Sequence, residues 1–341
     1  MKGRLIALDH LDGAEAAALM VDGRLEDLFL DSDAPRPGAI YRGIADRPVK
    51  GQGGMFLRTP DGPAFLRQIK GLRPGQPILV QVTGYPEPGK ALPVTAKVLF
   101  KSRYAIVTPD APGLNMSRSI RDDDRRDVLL AIAHEEMGDS DMGLILRSSC
   151  AEAADDEIAE DIRTMQDLAQ AVTGDADGTG PEKLTEGDGP HALAWQGWSA
   201  PAQVDTAPGS FADHGVLDQI DALRVADAPL GGGASMSVEP TRALVAVDVN
   251  TGGDTSPAAG LKANLAAARD LPRQLRLRGL GGQVVMDPAP MAKKDRRQFE
   301  TTLRAAFRAD IVETALVGWT PLGHFELQRK RDRIPLSEVI R

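Results

Sequence analysis

The stretch VAVDVNTGGDTSP, residues 245–257, reads as a buried strand that nevertheless carries an aspartate, Asp248, in its middle. A second stretch, GGQVVMDPAPM at residues 281–291, repeats the pattern with Asp287. A helical pattern of about twenty residues separates them. A strand, a helix and a second strand predict two neighbouring parallel strands, whose carboxyl ends meet at one edge of a sheet. We therefore expect the two carboxylates to lie close together.

Two adjacent carboxylates repel each other unless a cation lies between them. Mg²⁺ suits such a pair, because it binds one or two carboxylates together with water and substrate phosphate. Asn250 is expected to share the side of the strand that carries Asp248. Taken singly, an aspartate in such a place more often caps a helix or closes a turn, and Asp254 is assigned to cap the helix that opens near Ala258. Basic residues on the following helices are expected to add positive charge to the site: Arg273, Arg276, Arg278, Lys293, Lys294, Arg296 and Arg297.

The composition limits the possible functions. A chain of 341 residues has room for two or three domains, and its single cysteine, Cys150, excludes an intrachain disulfide and a multi-cysteine zinc site. The absence of a signal-peptide pattern and of long apolar runs predicts a cytoplasmic protein without a membrane partner. The net charge is −9, but residues 151–190 hold 12 acidic and 2 basic side chains, whereas residues 255–341 hold 9 acidic and 16 basic ones. The C-terminal third can therefore attract phosphate.

Strand and turn signals dominate the first hundred residues. Asp12-Gly13 and Asp22-Gly23 predict two hairpins, and closely spaced strands over residues 38–100 predict a small closed β-barrel. Helices are predicted over residues 121–136 and 151–172. The second should bury one face, formed by Ile158, Ile162, Met165, Leu168 and Val172. Residues 173–210 are interpreted as a loosely ordered connector in which Trp195 and Trp198 pack. The last hundred residues have an α/β pattern.

Three segments carry a family resemblance. RALVAVDVNTG, NLAAARDLPRQLRLRGLGGQVVMD and LGHFELQRKR resemble, in that order, the catalytic core of the ribonuclease E/G family. Weaker similarity in IYRG, FLRQI, GQPILVQV, SRSIRDDDR and GLILRSS extends towards the N-terminus. The chain thus resembles a short, ribonuclease G-like member that ends before the family's cysteine zinc link.

The resemblance implies an α/β (α+β multidomain) fold. It consists of an RNase H-like domain with an inserted OB-fold β-barrel, a 5′-sensor region and a DNase I-like catalytic domain. The expected bounds are 1–35 for the first RNase H-like part, 36–105 for the RNA-binding barrel, 106–175 for the sensor, 176–235 for the linker with the second RNase H-like part, and 236–341 for the catalytic domain.

The same resemblance implies a Mg²⁺-dependent endoribonuclease that cuts single-stranded RNA during processing or decay and leaves 5′-phosphate products. Asp248 and Asp287 would bind Mg²⁺, with Mn²⁺ as a possible substitute, and Asn250 would join them in catalysis. Arg147 and Ser148 would bind the 5′-monophosphate, since a guanidinium and a hydroxyl suit phosphate oxygens. Phe65 would stack on RNA bases. A homodimer without structural zinc is expected.

Three departures from the family pattern support an alternative function. Pro290 stands where the family usually has another aspartate, and Met55 stands where it has a second barrel aromatic, although Phe56 is adjacent. Near the sensor, GLNMS at residues 113–117 lacks the family's paired glycines. They favour an RNA-binding member with little cleavage activity that acts as a regulator or subunit. A third interpretation, a nucleotide-binding α/β enzyme, is disfavoured because the chain lacks a G-x-x-x-x-G-K-[ST] loop.

Overall fold

The computed structural model of the protein describes residues 3–49, 53–256 and 258–340. Its strands are, in chain order, β1 (Arg4–Leu11), β2 (Ala14–Val21), β3 (Arg24–Leu30), β4 (Ile40–Val49), β5 (Gly54–Thr59), β6 (Gly62–Leu66), β7 (Pro77–Val82), β8 (Leu92–Thr95), β9 (Phe100–Lys101), β10 (Ala105–Thr108), β11 (Gly113–Met116), β12 (Gly143–Leu146), β13 (Glu182–Thr185), β14 (Gln203–Asp205), β15 (Asp227–Gly231), β16 (Ala234–Pro240), β17 (Val245–Asn250), β18 (Gly282–Asp287), β19 (Thr314–Trp319) and β20 (Phe325–Arg329). Its helices are α1 (Asp123–Met137), α2 (Asp155–Gly174), α3 (Pro190–Gly197), α4 (Ser210–Asp213), α5 (Val216–Asp221), α6 (Ala259–Leu277), α7 (Arg296–Ala309) and α8 (Leu336–Val339).

One compact unit comprises residues 1–32 and 201–341. Its first three strands form an antiparallel meander, and β14 adds to β1 in parallel. Both hairpin turns have left-handed backbone at each central residue, with φ values of 51° and 85° at Asp12 and Gly13, and 50° and 80° at Asp22 and Gly23. This geometry suits two-residue hairpins, and it confirms the turns that the sequence predicts.

The same unit contains the six-stranded C-terminal sheet, in the order β15-β16-β17-β18-β20-β19. Only β17 and β18 pair in parallel, joined by α6 as the crossover helix. Val245, Val247 and Val249 point into the core beneath α6 and α7, whereas the residues between them are exposed. Because side chains alternate along a strand, the sheet has one packed face and one open face.

The other unit comprises residues 33–200. Strands β4-β5-β6-β8-β7 form a barrel that closes through pairing of β4 with β7, and this confirms the predicted closed barrel. Tyr41, Leu57 and Val80 fill its interior. A second sheet, β11-β12-β10-β9, packs with α1 and α2 around its own core. None of the helices in the described parts of the chain is both long enough and apolar enough to cross a membrane.

Three expectations need correction. Residues 173–210 were predicted to be loosely ordered, but β13 joins β4 and β14 joins β1, with α3 between them. Within α2, Ala169 rather than Leu168 is buried, and the latter is 38% exposed. Asp254 accepts a hydrogen bond from the backbone of Ser256 instead of capping α6, whose N-cap is Ala258. Sequence patterns also gave no sign of the edge strands β15 and β19, each of which pairs with the next strand along the chain, β16 and β20 respectively.

A buried cluster of charges stabilises the first unit. Arg276 on α6 and Arg329 on β20 both donate to the carboxylate of Asp310, the latter at 2.6 Å. The side chains of Asp310 and Arg329 are each only 1% exposed. Burial lowers the pKa of Arg329, and Asp310 opposes that shift. Buried charges of this kind require their partners, because an unpaired one is poorly solvated.

Replacing the central carboxylate should therefore destabilise the protein strongly. We expect Asp310→Ala to lower the free energy of unfolding by about 3–5 kcal/mol, as measured by urea denaturation. Asp221→Ala serves as the control, because Asp221 forms an ion pair with Arg224 that is 78% and 45% exposed and should lose at most about 1 kcal/mol. Equal losses in the two variants would contradict a structural role for the buried cluster.

Candidate active site

The two aspartates of the opening motifs lie side by side. Asp248 on β17 is the register partner of Asp287 on β18, in the only parallel pair of the C-terminal sheet as described. Partners in parallel register point to the same face, and neighbouring strands are about 4.8 Å apart. Both side chains are exposed on the open face. The crossover topology thus brings together two carboxylates that are 39 positions apart in the sequence.

Further polar groups surround this pair. The side-chain amide of Asn250 donates to Asp248 Oδ2 at 2.7 Å, so these two residues share a side of β17 as expected. His324, just before β20, has its Nε2 3.8 Å from Asp287 Oδ1. On the neighbouring strands, Ser237 of β16 is the register partner of Asp248, and Asp227 of β15 is the register partner of Ser237. His324, Ser237 and Asp227 were not singled out from the sequence, because only the sheet register brings them into this row.

A buried asparagine fixes the loop that follows Asp287. Asn264 on α6 is fully buried, and its side chain both donates to Ala289 O at 2.8 Å and accepts from Ala289 N at 2.9 Å. Gly260, one turn earlier, packs against the same loop, and a Cβ there would lie 1.9 Å from Pro290 O. The only sign of this in the sequence is a polar residue on the apolar side of α6.

The basic residues of α6 do not line the site, contrary to expectation. Arg273, Arg276 and Arg278 lie on the packed side of the sheet and are held by nearby acidic side chains and backbone carbonyls. The reason is geometric, since α6 covers the face opposite the carboxylates. Lys293 and Lys294 are exposed, and they follow shortly after Asp287 in the chain.

The donor set fits a hard divalent cation held partly by water. Among the described residues, no three His, Cys, Asp or Glu side chains converge closely enough to form a metal cage. Two adjacent carboxylates open to solvent match instead the way Mg²⁺ is bound, with few protein ligands and several waters or phosphate oxygens. Asp248 and Asp287 would be the residues that hold it.

The barrel presents an aromatic pair on its outer surface. Phe56 and Phe65 are cross-strand partners on β5 and β6, with ring centroids 5.2 Å apart. The guanidinium of Arg47 lies 5.1 Å from the centroid of Phe56. Gly54 leaves space for the Phe65 ring, since a Cβ there would lie 2.4 Å from it. The two rings are tilted by 49° to each other, so the surface offers aromatic faces beside a cation, and nucleic-acid bases stack on such faces.

Arg147 and Ser148 lie directly after β12. The Arg147 guanidinium donates to the carbonyl of Ser102, and burial lowers its pKa. Ser148 is exposed at the start of a short 3-10 turn that ends at Ala151. The site therefore offers the half-buried guanidinium of Arg147 next to the exposed side chain of Ser148. It lies in a different unit from Asp248 and Asp287.

Comparison with known proteins gives the family. The model of the ribonuclease E/G family matches residues 100–193 and 201–332, which is well over half of the chain. The chain belongs to the ribonuclease E/G family. It is 27% identical over 98% of its length to ribonuclease E of Nostoc sp., of which it covers 56%. It is 25% identical over 98% of its length to ribonuclease G of Salmonella typhimurium, of which it covers 81%. The chain thus spans about half the length of that ribonuclease E.

The structure shows the surroundings of Met55 and Pro290, two positions where the sequence departs from the expected pattern. Met55 points into the barrel core and is only 4% exposed, so the aromatic that faces outward on β5 is Phe56. Pro290 has an exposed side chain, while its backbone carbonyl packs against Gly260 of α6. The barrel therefore presents a pair of aromatic rings, whereas position 290 offers no carboxylate.

Proposed function

We propose that this ribonuclease E/G family member is a Mg²⁺-dependent endoribonuclease that cuts single-stranded RNA and leaves 5′-phosphate products. The observation that carries the proposal is the in-register pair Asp248 and Asp287 on an open sheet face. The names of the relatives, ribonuclease E and ribonuclease G, agree with it. Manganese is expected to replace magnesium, because it also accepts carboxylate and water ligands.

Each residue of the site has a distinct task in this proposal. Mg²⁺, when bound, would supply Lewis-acid polarisation of the scissile phosphate. Asp248 and Asp287 hold the cation, and the amide of Asn250 keeps the Asp248 carboxylate oriented through its 2.7 Å hydrogen bond. His324 lies on the other side of the pair, with its Nε2 3.8 Å from Asp287 Oδ1. The two hydrogen bonds of Asn264 keep the loop after Asp287 in place against α6. The packed core thereby helps to hold the Asp287 carboxylate beside Asp248.

The remaining parts of the chain are assigned to RNA binding and support. The meander β1–β3 with β14 is proposed as the RNase H-like part, and the C-terminal sheet with α6 and α7 as the DNase I-like part. The barrel would bind RNA through Phe65 together with Phe56, by stacking that tolerates any base. Arg147 and Ser148 would bind the 5′-monophosphate, since the guanidinium has donors left after its bond to Ser102.

One observation favours a second candidate function. The proline at position 290 removes the third carboxylate that the family usually has near the metal pair, and this would weaken cation binding. The protein would then bind RNA and act as a regulator or subunit with little cleavage of its own. The retained pair Phe56 and Phe65 serves both functions equally, so only a cleavage assay separates them.

The first test removes one charge of the pair without changing its volume. Asp248→Asn and Asp287→Asn should each reduce Mg²⁺-dependent cutting of a 5′-monophosphorylated, A/U-rich single-stranded oligonucleotide by at least about 100-fold, because either change weakens metal binding. RNA affinity, measured by fluorescence anisotropy without divalent metal, should remain nearly unchanged.

Asp218→Asn is the matched control, since Asp218 is an exposed carboxylate on α5 of the same unit. It should cut at the wild-type rate. Wild-type cutting by either pair variant would show that the assigned site is wrong. A wild-type protein that binds the oligonucleotide but does not cut it with Mg²⁺ or Mn²⁺ would support the regulator instead.

The second test concerns the terminal phosphate. Wild type should cut 5′-monophosphorylated RNA faster than the same RNA with a 5′-hydroxyl, and Arg147→Ala should bring the ratio of the two rates close to one. The reason is that only the phosphate can use the guanidinium fork. Arg163→Ala, which removes an exposed arginine of α2, should leave the ratio unchanged. A wild type indifferent to the 5′ end would contradict the sensor assignment.

The third test concerns assembly. We propose a homodimer, because an isologous contact closes after two copies. Zinc linkage through cysteine is disfavoured, since Cys150 is fully buried and burial raises the pKa of its thiol to about 11. Light scattering should give the dimer mass both with and without a chelator. A tetramer that dissociates on chelation would contradict this proposal.

A further inference from the structure

Helix α3 carries two tryptophans in opposite environments. Trp198 at its C-terminal end is 6% exposed, but Trp195, three residues earlier, is 60% exposed. An exposed apolar side chain is unremarkable when it stands alone and moves freely. The Trp195 indole neither stands alone nor moves freely, because the side chain of Arg103 contacts it.

Arg103 fixes the Trp195 indole from one side. Its guanidinium carbon lies 3.8 Å from the ring centroid, and its Nη1 donates to the backbone carbonyl of Trp195 at 2.5 Å. The guanidinium therefore stacks on one face of the ring and locks the orientation of the side chain. With that face covered, most of the exposed area belongs to the opposite face and the ring edge.

The same arginine links the indole to the proposed sensor. The carbonyl of Arg103 accepts a hydrogen bond from Ser149 Oγ at 2.5 Å, and the carbonyl of the preceding residue, Ser102, accepts from the guanidinium of Arg147. One short bend between β9 and β10 thus carries the arginine that stacks on Trp195, and its backbone receives two side chains from the segment after β12. Trp195 is therefore linked to this bend through the Arg103 side chain, and Arg147 is linked to it through the Ser102 carbonyl.

The charges around this bend suit a phosphate bound next to a flat ring. Arg103 and Arg147 are both cationic. Two carboxylates also lie near the bend, and Asp161 interacts electrostatically with Arg147. Asp161 accepts from Ser102 Oγ at 2.5 Å and from Tyr104 N at 2.9 Å, and Glu157 accepts from the Tyr104 hydroxyl at 2.9 Å, so hydrogen bonds fix the positions of both. A rigid indole with one open face beside two cations matches a nucleotide that carries an unpaired base and an adjacent phosphate.

We propose that Trp195, backed by Arg103, is a stacking platform for the 5′-terminal base of single-stranded RNA whose terminal phosphate is bound at Arg147. This inference rests on the proposed RNA-binding function and adds a second base-binding surface, separate from the barrel pair Phe56 and Phe65. Stacking on an indole requires no particular base, so the platform selects an accessible, unpaired 5′ end rather than a sequence.

The test uses the whole protein and 5′-monophosphorylated ten-nucleotide RNAs of uridine with one 2-aminopurine, at either the first or the sixth position. Binding is measured in EDTA, so that no RNA is cut. Wild type should quench the probe at the first position. Trp195→Ala should abolish this quenching and weaken binding about 5- to 150-fold, the range that corresponds to loss of one stacked base. Trp195→Phe should retain most of both, because phenylalanine keeps a flat ring. Leu168→Ala, which removes a partly exposed apolar side chain elsewhere in the same unit, should match wild type.

The outcomes separate the platform from the nuclease. Wild-type affinity and first-position quenching in Trp195→Ala would overturn the platform and leave the proposed function standing. Equal loss of signal at both probe positions, or a lowered melting temperature, would mean that Trp195 supports the fold or a different surface, and would also overturn it. First-position quenching by a wild type that cuts no RNA with Mg²⁺ would support the platform and overturn the nuclease. A wild type that binds neither RNA would overturn both.

Discussion

The parallel, in-register pairing of β17 with β18 is the constraint on which the proposed site depends. Because side chains alternate, a shift of one residue would turn Asp248 into the core and expose the neighbouring valines. Burial of Val245, Val247 and Val249 therefore fixes the carboxylate on the open face. The same rule holds for Asp287 on β18. The geometry of a polar site is thus set by the packing of apolar residues on the other side of the sheet.

Helix α6 connects this register to the rest of its unit. It provides the crossover that a parallel pair requires, it buries its apolar side against the sheet, and through Asn264 it holds the loop after Asp287. One of its arginines, Arg276, belongs to the buried cluster around Asp310, together with Arg329 of β20. These arginines are structural, because charges under a sheet must be paired to be tolerated. Lys293 and Lys294 are exposed and follow Asp287 shortly in the chain.

The other unit shows one motif twice. A guanidinium lies against an aromatic ring at Arg47 with Phe56, and again at Arg103 with Trp195. In both cases a ring surface is held rigidly beside a positive charge. This combination suits a polymer that alternates flat bases with phosphates, and in the proposed function it would let an acidic protein bind RNA through local surfaces. The acidic residues 151–190 lie largely in α2 and the segment after it.

The sequence by itself determined the features that are encoded within short segments. The Asp-Gly turns, the closed barrel and the strand–helix–strand unit with Asp248 and Asp287 all follow from turn chemistry and periodicity over a few residues. Only the tertiary structure decided which sheets recruit β13 and β14, and which tryptophan of α3 is buried. The same holds for the arginines of α6, since Arg276 meets Asp310 across 34 positions of sequence. These features depend on residues that are distant in the chain: the strand partners of β13 and β14, the surroundings of a single ring and the partners of buried charges. A local sequence pattern does not contain information about such partners.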